Sequence, residues 1–469
     1  MVDSTQVRVA TAPTDKSHEK VKKHIKITEI NYRRNTDSDY TEKIQKLDKN
    51  FSYDRDSQHY WSNPELSLFY GTPLYEQASS AQKLALNHLY WATQYNQTAA
   101  TEANTVLYNQ VTGGVFAAVG GYGTLCQELD LETDQERHHI HAFHTISYKT
   151  KKALLGQAAF NAPGKSKGIK NGAAKSGQKS QLFSFDGRFD GHSESIAEFR
   201  DSTFRFITNK VMLKHQANYY SHYLQQLDQK GELIPAQTTG LLGQIAPRSF
   251  LQFFTLNCGS SPFLACMFYL TRFMANMLLK NYEYDYVQYH RELEKKGEFI
   301  PAATAVSLNH LLDESFHTTT SQLIALEVYR DFPNPTAYEK LVANTTIYRA
   351  QKVGLSGLSG AIPGICRSDD AFMMPLYKLL QSPVFDLSAP EALQWMETGL
   401  CQEHQGFHVN LQYHQRLLAE LQRMFEGIDY LWGVNREMQL MASGGSVNTA
   451  IAQNSKAFAR FSRSLAQSD

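Results

Sequence analysis

Apolar residues recur with helical spacing along most of this chain of 469 residues. In such a pattern, apolar side chains three and four positions apart share one face of an α-helix. The clearest examples lie at 79–110, from about 133 past 144, and at about 194–228, 248–295 and 305–330. No stretch alternates apolar and polar residues between hairpin turns, so the sequence predicts an all-α protein.

Changes in composition divide the predicted helices into three regions. Residues 1–60 are polar and show little periodicity, which predicts a partly ordered lead-in. Residues 61–335 are expected to form the main bundle. It is interrupted at 149–192 by a segment rich in Lys, Gly, Ala and Ser, whose middle is predicted to be a mobile surface insertion. Residues 336–469 are predicted to add a helical C-terminal region, with a Gly/Ser-rich break at 354–364.

Glycine marks several predicted helix ends. Five glycines between Gly113 and Gly123 are interleaved with apolar residues, which indicates close helix packing or a helix break. Residues 223–238 and 289–304 share the order Tyr, Leu, Lys-Gly-Glu-x-Ile-Pro-Ala and Thr at the same spacing. Each copy predicts a helix that ends at glycine, followed by proline and a threonine that can begin the next helix.

Composition narrows the class of protein. The 46 basic and 46 acidic residues give a formal net charge of zero, so a global attraction for nucleic acid is not supported. The five cysteines are scattered and odd in number, which favours a reducing cytoplasm. The first residues lack the apolar core of a secretory signal. The most apolar run, 263–279, contains Arg272 and Asn276 and is interpreted as a core helix, not a membrane span.

Candidate chemistry lies in two Glu-x-x-His motifs. The first runs from Glu136 to His139 and the second from Glu314 to His317. On a helix, residues three positions apart project from nearly the same face, so the carboxylate and the imidazole can bind one ion. Each motif alone is common enough to arise by chance, and the candidate site depends on what accompanies it.

Each motif follows another glutamate in a helical pattern beside apolar or small residues. Glu102 precedes Glu136, and Glu283 precedes Glu314. Two single glutamates and two Glu-x-x-His motifs on four helices are the ligands of ferritin-like dimetal-carboxylate bundles. Carboxylates offset the charge of two iron(II) ions, and one imidazole per ion leaves positions open for O2. The alternative is incidental Glu and His residues on surface helices, which the matched spacing disfavours.

The second motif offers two further candidates. His310, Glu314 and His317 fall on one helical stripe, so His310 is predicted to be a third imidazole ligand. A core histidine with its hydrogen bonds satisfied is the alternative. Asp313 is predicted to orient a ligand histidine through its ring N–H.

Three other residues are interpreted as structural. Glu132 is predicted to be a charge near a helix N-terminus, where the helix dipole favours it. His404 and His408 have the spacing of a zinc-binding pair but no evident third ligand. A surface or core pair is therefore favoured.

Seven residues carry a family resemblance: Glu102, Glu136, His139, Glu283, His310, Glu314 and His317. In this order they resemble the ligand set of the para-aminobenzoate N-oxygenase family, over about residues 60–330. They also resemble the dimetal-carboxylate halogenases of cylindrocyclophane-type pathways, whose length is closer to that of this chain. One departure is Gln135, which stands before Glu136 where an aspartate is expected.

The resemblance to these halogenases implies an enzyme with two iron ions, and the cysteine usage adds the expectation that it is cytoplasmic. Such an enzyme uses O2 and chloride to chlorinate an unactivated C–H position of a fatty acyl chain on an acyl carrier protein, in natural-product biosynthesis. It also implies an external electron donor, and manganese is an alternative for one iron. The N-oxygenase resemblance implies oxygen insertion at an amine or a C–H bond instead. A non-catalytic ferritin-like iron-binding protein is the third alternative.

The lysine-rich segment is a candidate docking patch for an acidic carrier protein. A solvated flexible loop is the simpler alternative. The lysines concerned are Lys149, Lys151, Lys152, Lys165, Lys167, Lys170, Lys175 and Lys179.

Overall fold

The computed structural model of the chain describes residues 22–156, 219–234, 248–358 and 370–466, with isolated positions between 202 and 210. Within these ranges there are helices and no strands, which confirms the predicted all-α class. The first ten α-helices within these four ranges are α1 (Lys23–Thr36), α2 (Tyr40–Asn50), α3 (Tyr53–Asp56), α4 (Pro73–Gln77), α5 (Ser80–Val119), α6 (Gly123–Leu155), α7 (His222–Lys230), α8 (Arg248–Cys258), α9 (Pro262–Lys296) and α10 (Ala302–Leu326).

Four long helices form a ferritin-like bundle. α5 packs along α6, α9 packs along α10, and α9 also contacts α5. α5 begins with a capping box, in which Ser79 and Gln82 each accept a hydrogen bond from the other's backbone N–H. Buried aromatic side chains, among them Trp91 and Tyr286, fill the space between the helices.

The turn between α5 and α6 corrects one predicted boundary. α6 begins at Gly123, about ten residues before the start near residue 133 that the apolar pattern predicted. The chain turns at Gly120 and Gly121, whose φ angles are +79° and +83°, a region that glycine adopts without the strain of a side chain. The glycine-rich stretch thus supplies the predicted helix break.

The repeated Lys-Gly-Glu segments are two copies of one helix end. Gly231 after α7 and Gly297 after α9 both have a φ of +67°. In each copy the glycine N–H donates to a carbonyl three residues earlier, and the following glutamate N–H donates to one five residues earlier. The helix ends predicted from the repeat are confirmed.

α9 is the apolar helix of the bundle. By length and composition it could cross a membrane, yet 72% of its most apolar stretch is buried inside the protein. This agrees with the interpretation of 263–279 as a core helix.

The expected lead-in is part of the bundle wall where the structure describes it. α1 and α2 both contact α6 and α10. The buried face of α1 is polar and includes Asn31 and Asn35, whereas the buried face of α2 contains Ile44 and Asp48. The helical apolar pattern is weak in this region because polar side chains of α1 are buried against polar residues of the bundle.

The C-terminal region is helical, as predicted, and shares its core with the bundle. Leu417, Leu421 and Phe425 pack in one cluster with Leu270 of α9. A π-helical turn, Gln351–Leu355, lies at the predicted Gly/Ser-rich break, and residues 359–369 lie outside the described residues. The helices of this region are α11 (Ala337–Ala350), α12 (Asp370–Gln381), α13 (Ala389–Cys401), α14 (Gln405–Phe425), α15 (Gly433–Arg436), α16 (Gln439–Gly444) and α17 (Val447–Ala466).

Candidate metal centre

The four bundle helices bring the predicted ligands together in the interior. α5 carries Glu102, α6 carries Glu136 and His139, α9 carries Glu283, and α10 carries the remaining three. Six of them form two overlapping groups, and within each group the donor atoms lie within 4.8 Å of one another. The first group is Glu102, His139, His310 and Glu314, and the second is Glu136, Glu314 and His317. Every residue in both groups is buried.

Glu314 belongs to both groups. Its Oε1 lies 2.6 Å from His317 Nδ1 and 3.9 Å from both His139 Nδ1 and His310 Nε2. A carboxylate that reaches both groups is placed to bridge two ions. The extra histidine, His310, lies between Glu102 and Glu283, with distances of 2.9 Å from Nε2 and 2.7 Å from Nδ1 to their Oε1 atoms.

Glu283 lies just outside the two groups. Its Oε1 is 2.7 Å from His310 Nδ1 and 2.9 Å from the hydroxyl oxygen of Tyr95. Its Oε2 is buried without a hydrogen-bond partner. In this arrangement Glu283 orients His310, and its predicted role as a ligand stays a prediction.

Unsatisfied donor atoms test whether a cation fits this site. Glu102 Oε2, Glu136 Oε2 and His139 Nδ1 are all buried and lack a hydrogen-bond partner among the described residues. Buried polar atoms of this kind are costly unless something binds them. Carboxylate oxygens and imidazole nitrogens are the donors that bind divalent iron or manganese, so the residues present fit such ions.

Each motif histidine is held by the residue that precedes the glutamate of the other motif. His139 Nε2 lies 2.9 Å from Asp313 Oδ2, and His317 Nε2 lies 3.0 Å from Gln135 Oε1. Because a side-chain oxygen of each partner accepts from Nε2–H, the Nδ1 atoms of both histidines face the site. Gln135 therefore orients a histidine in the position where an aspartate was expected.

A buried arginine neutralises two of the glutamates. Arg272 on α9 lies 2.5 Å from Glu132 and 3.2 Å from Glu136 Oε1. Glu132 is fully buried in the middle of α6, so its interpretation as a charge near a helix N-terminus is wrong. The sequence showed Arg272 only as a charge in an apolar run, and the acidic residues on the facing helix are the signal that could have paired it.

The dense packing of charges shifts the pKa values of the buried side chains. Burial disfavours the cation of His139, but the hydrogen bond to Asp313 and the Glu136 carboxylate, 3.6 Å from Nδ1, outweigh this effect and raise the pKa of His139 to about 9. Burial raises the pKa of Glu102 to about 7, although His310 partly opposes the shift. In the absence of metal, protons on the histidines thus balance part of the acidic charge.

Helices α1 and α2 supply outer hydrogen bonds that the sequence did not predict. Asn35 donates to Gln135, and Thr41 donates to Asp313 at 2.7 Å. Asn31 donates at 2.8 Å to Glu128, a buried carboxyl group whose pKa burial raises to about 8. The contacts made by Asn35 and Thr41 fix the two residues that orient the histidines.

Comparison with known families identifies the chain. The model of the CylC-like acyl halogenases matches residues 23–462, which is nearly the whole chain. The chain belongs to the CylC-like acyl halogenase family. No curated protein and no solved structure matches it. The family relationship implies an enzyme, and the expected resemblance to these halogenases is confirmed, whereas the relation to the N-oxygenases stays a prediction.

In this member of the acyl halogenase family, one cavity of about 320 Å³ reaches the candidate metal centre. Glu102, Glu136, Glu283 and Glu314 line it. Apolar and aromatic side chains make up much of the remaining wall, among them Phe250, Phe254, Phe268, Met274, Leu278 and Tyr282. A cavity with apolar walls and a few convergent polar groups is typical of a substrate site.

The same cavity reaches the protein surface beside the π-helical turn. Val353 lines it and is 48% exposed. Arg349 also lines it, with its guanidinium 4.5 Å from the centre of the Phe250 ring. Partial burial lowers the pKa of Arg349, because desolvation disfavours the cation and no acidic group compensates among the described residues.

Two other candidate groups lie elsewhere. His404 caps α14 through a hydrogen bond from the Gly406 N–H, and exposed His408 pairs with Glu403. The structure thus gives the two histidines separate partners, as the favoured interpretation predicted. Lys149, Lys151 and Lys152 lie in the last turns of α6, and the other predicted lysines lie outside the described residues.

Proposed function

We propose that this chain is an O2-dependent diiron halogenase that chlorinates an unactivated C–H position of a fatty acyl chain bound to a carrier protein. Its natural setting would be cytoplasmic natural-product biosynthesis. Family membership supports halogenation of an acyl group. The observation that carries the finer proposal is the cavity, which joins apolar walls to the carboxylates of the candidate metal centre.

The cavity suits an alkyl chain. Its aromatic and aliphatic walls would bury methylene groups, each of which contributes about 0.8 kcal/mol when removed from water. Phe268 and Tyr282 lie on α9, the helix that also carries Glu283. A chain laid along this wall would bring a C–H bond to the ligand set, with water excluded by the same side chains.

The charge beside the opening suits a carrier protein. The prosthetic arm of an acyl carrier protein bears a phosphodiester, and Arg349 offers a partly desolvated cation at the cavity. Exposed Lys352 lies three residues away. Arginine binds phosphate oxygens in a bidentate manner, so this position can hold the arm while the acyl chain enters.

The ligand residues support a pair of iron ions, with manganese in one position as the alternative. Glu102, His139 and His310 would hold one ion, Glu136 and His317 the other, and Glu314 would bridge them. When bound, the two ions supply the activation of O2, with electrons from an external donor. The residues of the chain bind the ions, orient the acyl group and exclude bulk water.

Mass spectrometry of a defined reaction tests the proposal. The protein would be loaded anaerobically with iron(II) and mixed with an acylated carrier protein, chloride, O2 and a reductant. A product with the mass and isotope pattern of one chlorine in place of hydrogen supports it. A product with one added oxygen indicates the oxygenase alternative, and iron uptake with unchanged acyl chain indicates a non-catalytic iron-binding protein. Omission of chloride and a Glu136→Ala variant are the matched controls.

A further inference from the structure

A row of four aromatic side chains runs outward from the candidate metal centre. The ring centres of Tyr95 and Trp91 are 4.3 Å apart, those of Trp91 and Trp61 are 5.5 Å apart, and those of Trp61 and Tyr53 are 6.1 Å apart. Trp61 and Trp91 are fully buried, whereas Tyr53 is only partly buried. The row therefore connects the interior of the bundle with its surface.

The inner end of the row contacts the ligand set directly. The phenolic oxygen of Tyr95 lies 2.9 Å from Glu283 Oε1, and its ring meets the ring of His310 edge to face at 6.3 Å. The Trp91 N–H donates to Ser307 Oγ, which also lies 2.7 Å from the Tyr95 hydroxyl oxygen. These hydrogen bonds hold the two rings in a fixed relation to the site.

The outer end of the row has a defined proton acceptor. His88 Nε2 lies 2.8 Å from the backbone oxygen of His59, and a carbonyl can only accept, so Nε2 carries the hydrogen. Burial lowers the pKa of His88 to about 4, so the imidazole is neutral at pH 7 and its Nδ1 is a bare acceptor. The Tyr53 hydroxyl, 3.1 Å from Nδ1, must therefore be the donor.

We propose that this row, Tyr95–Trp91–Trp61–Tyr53, carries an oxidising equivalent from the metal centre to Tyr53. The inference rests on the proposed function, because the oxidant is a one-electron oxidant formed from O2 at the metal centre. Tyrosine and tryptophan are the side chains most readily oxidised by one electron without loss of structure. Rings in such close succession allow the electron to move in short steps.

The overall step balances in electrons and protons. One electron leaves Tyr53 and moves inward through the row to reduce the oxidant. The phenolic proton of Tyr53 moves to His88 Nδ1, which leaves a neutral tyrosyl radical and an imidazolium. An oxidised phenol is a strong acid, so even a buried neutral imidazole accepts its proton. An external thiol or ascorbate then returns one electron, and His88 returns the proton. The row thereby removes oxidising power when no substrate occupies the cavity.

The first experiment needs no metal. Metal-free protein is oxidised with a ruthenium tris-bipyridine photo-oxidant, frozen and examined by electron paramagnetic resonance. A neutral tyrosyl signal that is largely lost in Tyr53→Phe supports the proposal. Tyr284→Phe removes a tyrosine that is 50% exposed and serves as the matched control. A signal unchanged in Tyr53→Phe, or lost equally in the control, overturns the outer half of the row.

The second experiment tests the inner half. Iron(II)-loaded wild type and Trp91→Phe receive O2 without substrate, and O2 consumption and the radical signal are followed together. A tyrosyl radical in wild type that forms at least ten times less in Trp91→Phe, with equal iron content, supports the row. O2 consumption with the same signal in both proteins, or with no aromatic radical in wild type, overturns it. Absence of O2 consumption refutes the proposed function instead, and the metal-free experiment then still decides the role of Tyr53.

Discussion

The imidazole of His139 is fixed by the carboxylate of Asp313, with 2.9 Å between Nε2 and Oδ2. Asp313 belongs to the opposite helix, next to Glu314, so one residue on α10 sets the orientation of a histidine on α6. Gln135 does the same for His317 in the reverse direction. The two motifs therefore orient each other.

Replacement of Asp313 by Asn is expected to weaken metal binding about 10- to 100-fold, the usual cost of losing a group that orients a metal ligand. The physical reason is that the amide no longer holds His139 with a negatively charged acceptor. Titration with cobalt(II), followed by absorption, measures the affinity. Asp134→Asn on the exposed face of α6 is the matched control. Equal affinity in the two variants would contradict the role assigned to Asp313.

Metal binding is expected to release protons and to strengthen as the pH rises toward 9. The pKa of His139 is raised to about 9, so below that pH the metal-free protein holds a proton that a metal must displace. Affinity should therefore fall as the pH is lowered. Calorimetric titration with manganese(II) at about pH 6.5 and about pH 8.5, in buffers of different ionisation enthalpy, measures both the affinity and the number of protons released. A pH-independent affinity without proton release would refute this prediction.

Arg272→Met is expected to destabilise the metal-free protein by about 3–5 kcal/mol, because it leaves Glu132 and Glu136 buried without their cation. Urea unfolding followed by circular dichroism measures the loss. A second change, Glu132→Gln, removes one of the stranded charges and should restore part of the stability. Arg423→Met, at an exposed position, should leave the unfolding midpoint nearly unchanged. A similar loss in both arginine variants would argue against the buried ion pair.

Arg349→Met is expected to raise KM for a substrate carried on a phosphopantetheine arm about ten-fold or more, because the loss of one charge-assisted hydrogen bond weakens binding by about this factor. The same acyl group on a thioester without phosphate should show little change, because the apolar cavity wall is intact. Steady-state kinetics with both substrates measures the difference. Arg423→Met is again the control, and an equal change in KM for both substrates would point to a packing defect.

The candidate ligand set could be proposed from the sequence because the information that defines it is local. Glu136 with His139, and Glu314 with His317, are three residues apart, and the geometry of a helix fixes their common face. The all-α class follows from the same periodicity. The order of the motifs along the chain was enough to predict that four helices contribute.

Contacts between distant segments could not be predicted from the sequence. Arg272 pairs with Glu132 and Glu136, which lie 140 and 136 positions earlier in the chain. Apolar periodicity does not predict such a pairing. Asn35 lies in a segment without a helical apolar face, so its hydrogen bond to Gln135 could not be predicted either. The start of α6 was misplaced because glycine backbone angles, not a polar cap, make the turn.

The position of Glu314 would make the two candidate metal positions dependent on each other. An ion bound by Glu102 and His310 would draw on the same carboxylate as an ion bound by Glu136 and His317. Occupancy of one position would change the charge and orientation of the shared group before the second ion arrives. Loading should therefore proceed as two linked equilibria, and a protein with half its metal would be a distinct chemical species, not a mixture of empty and full molecules.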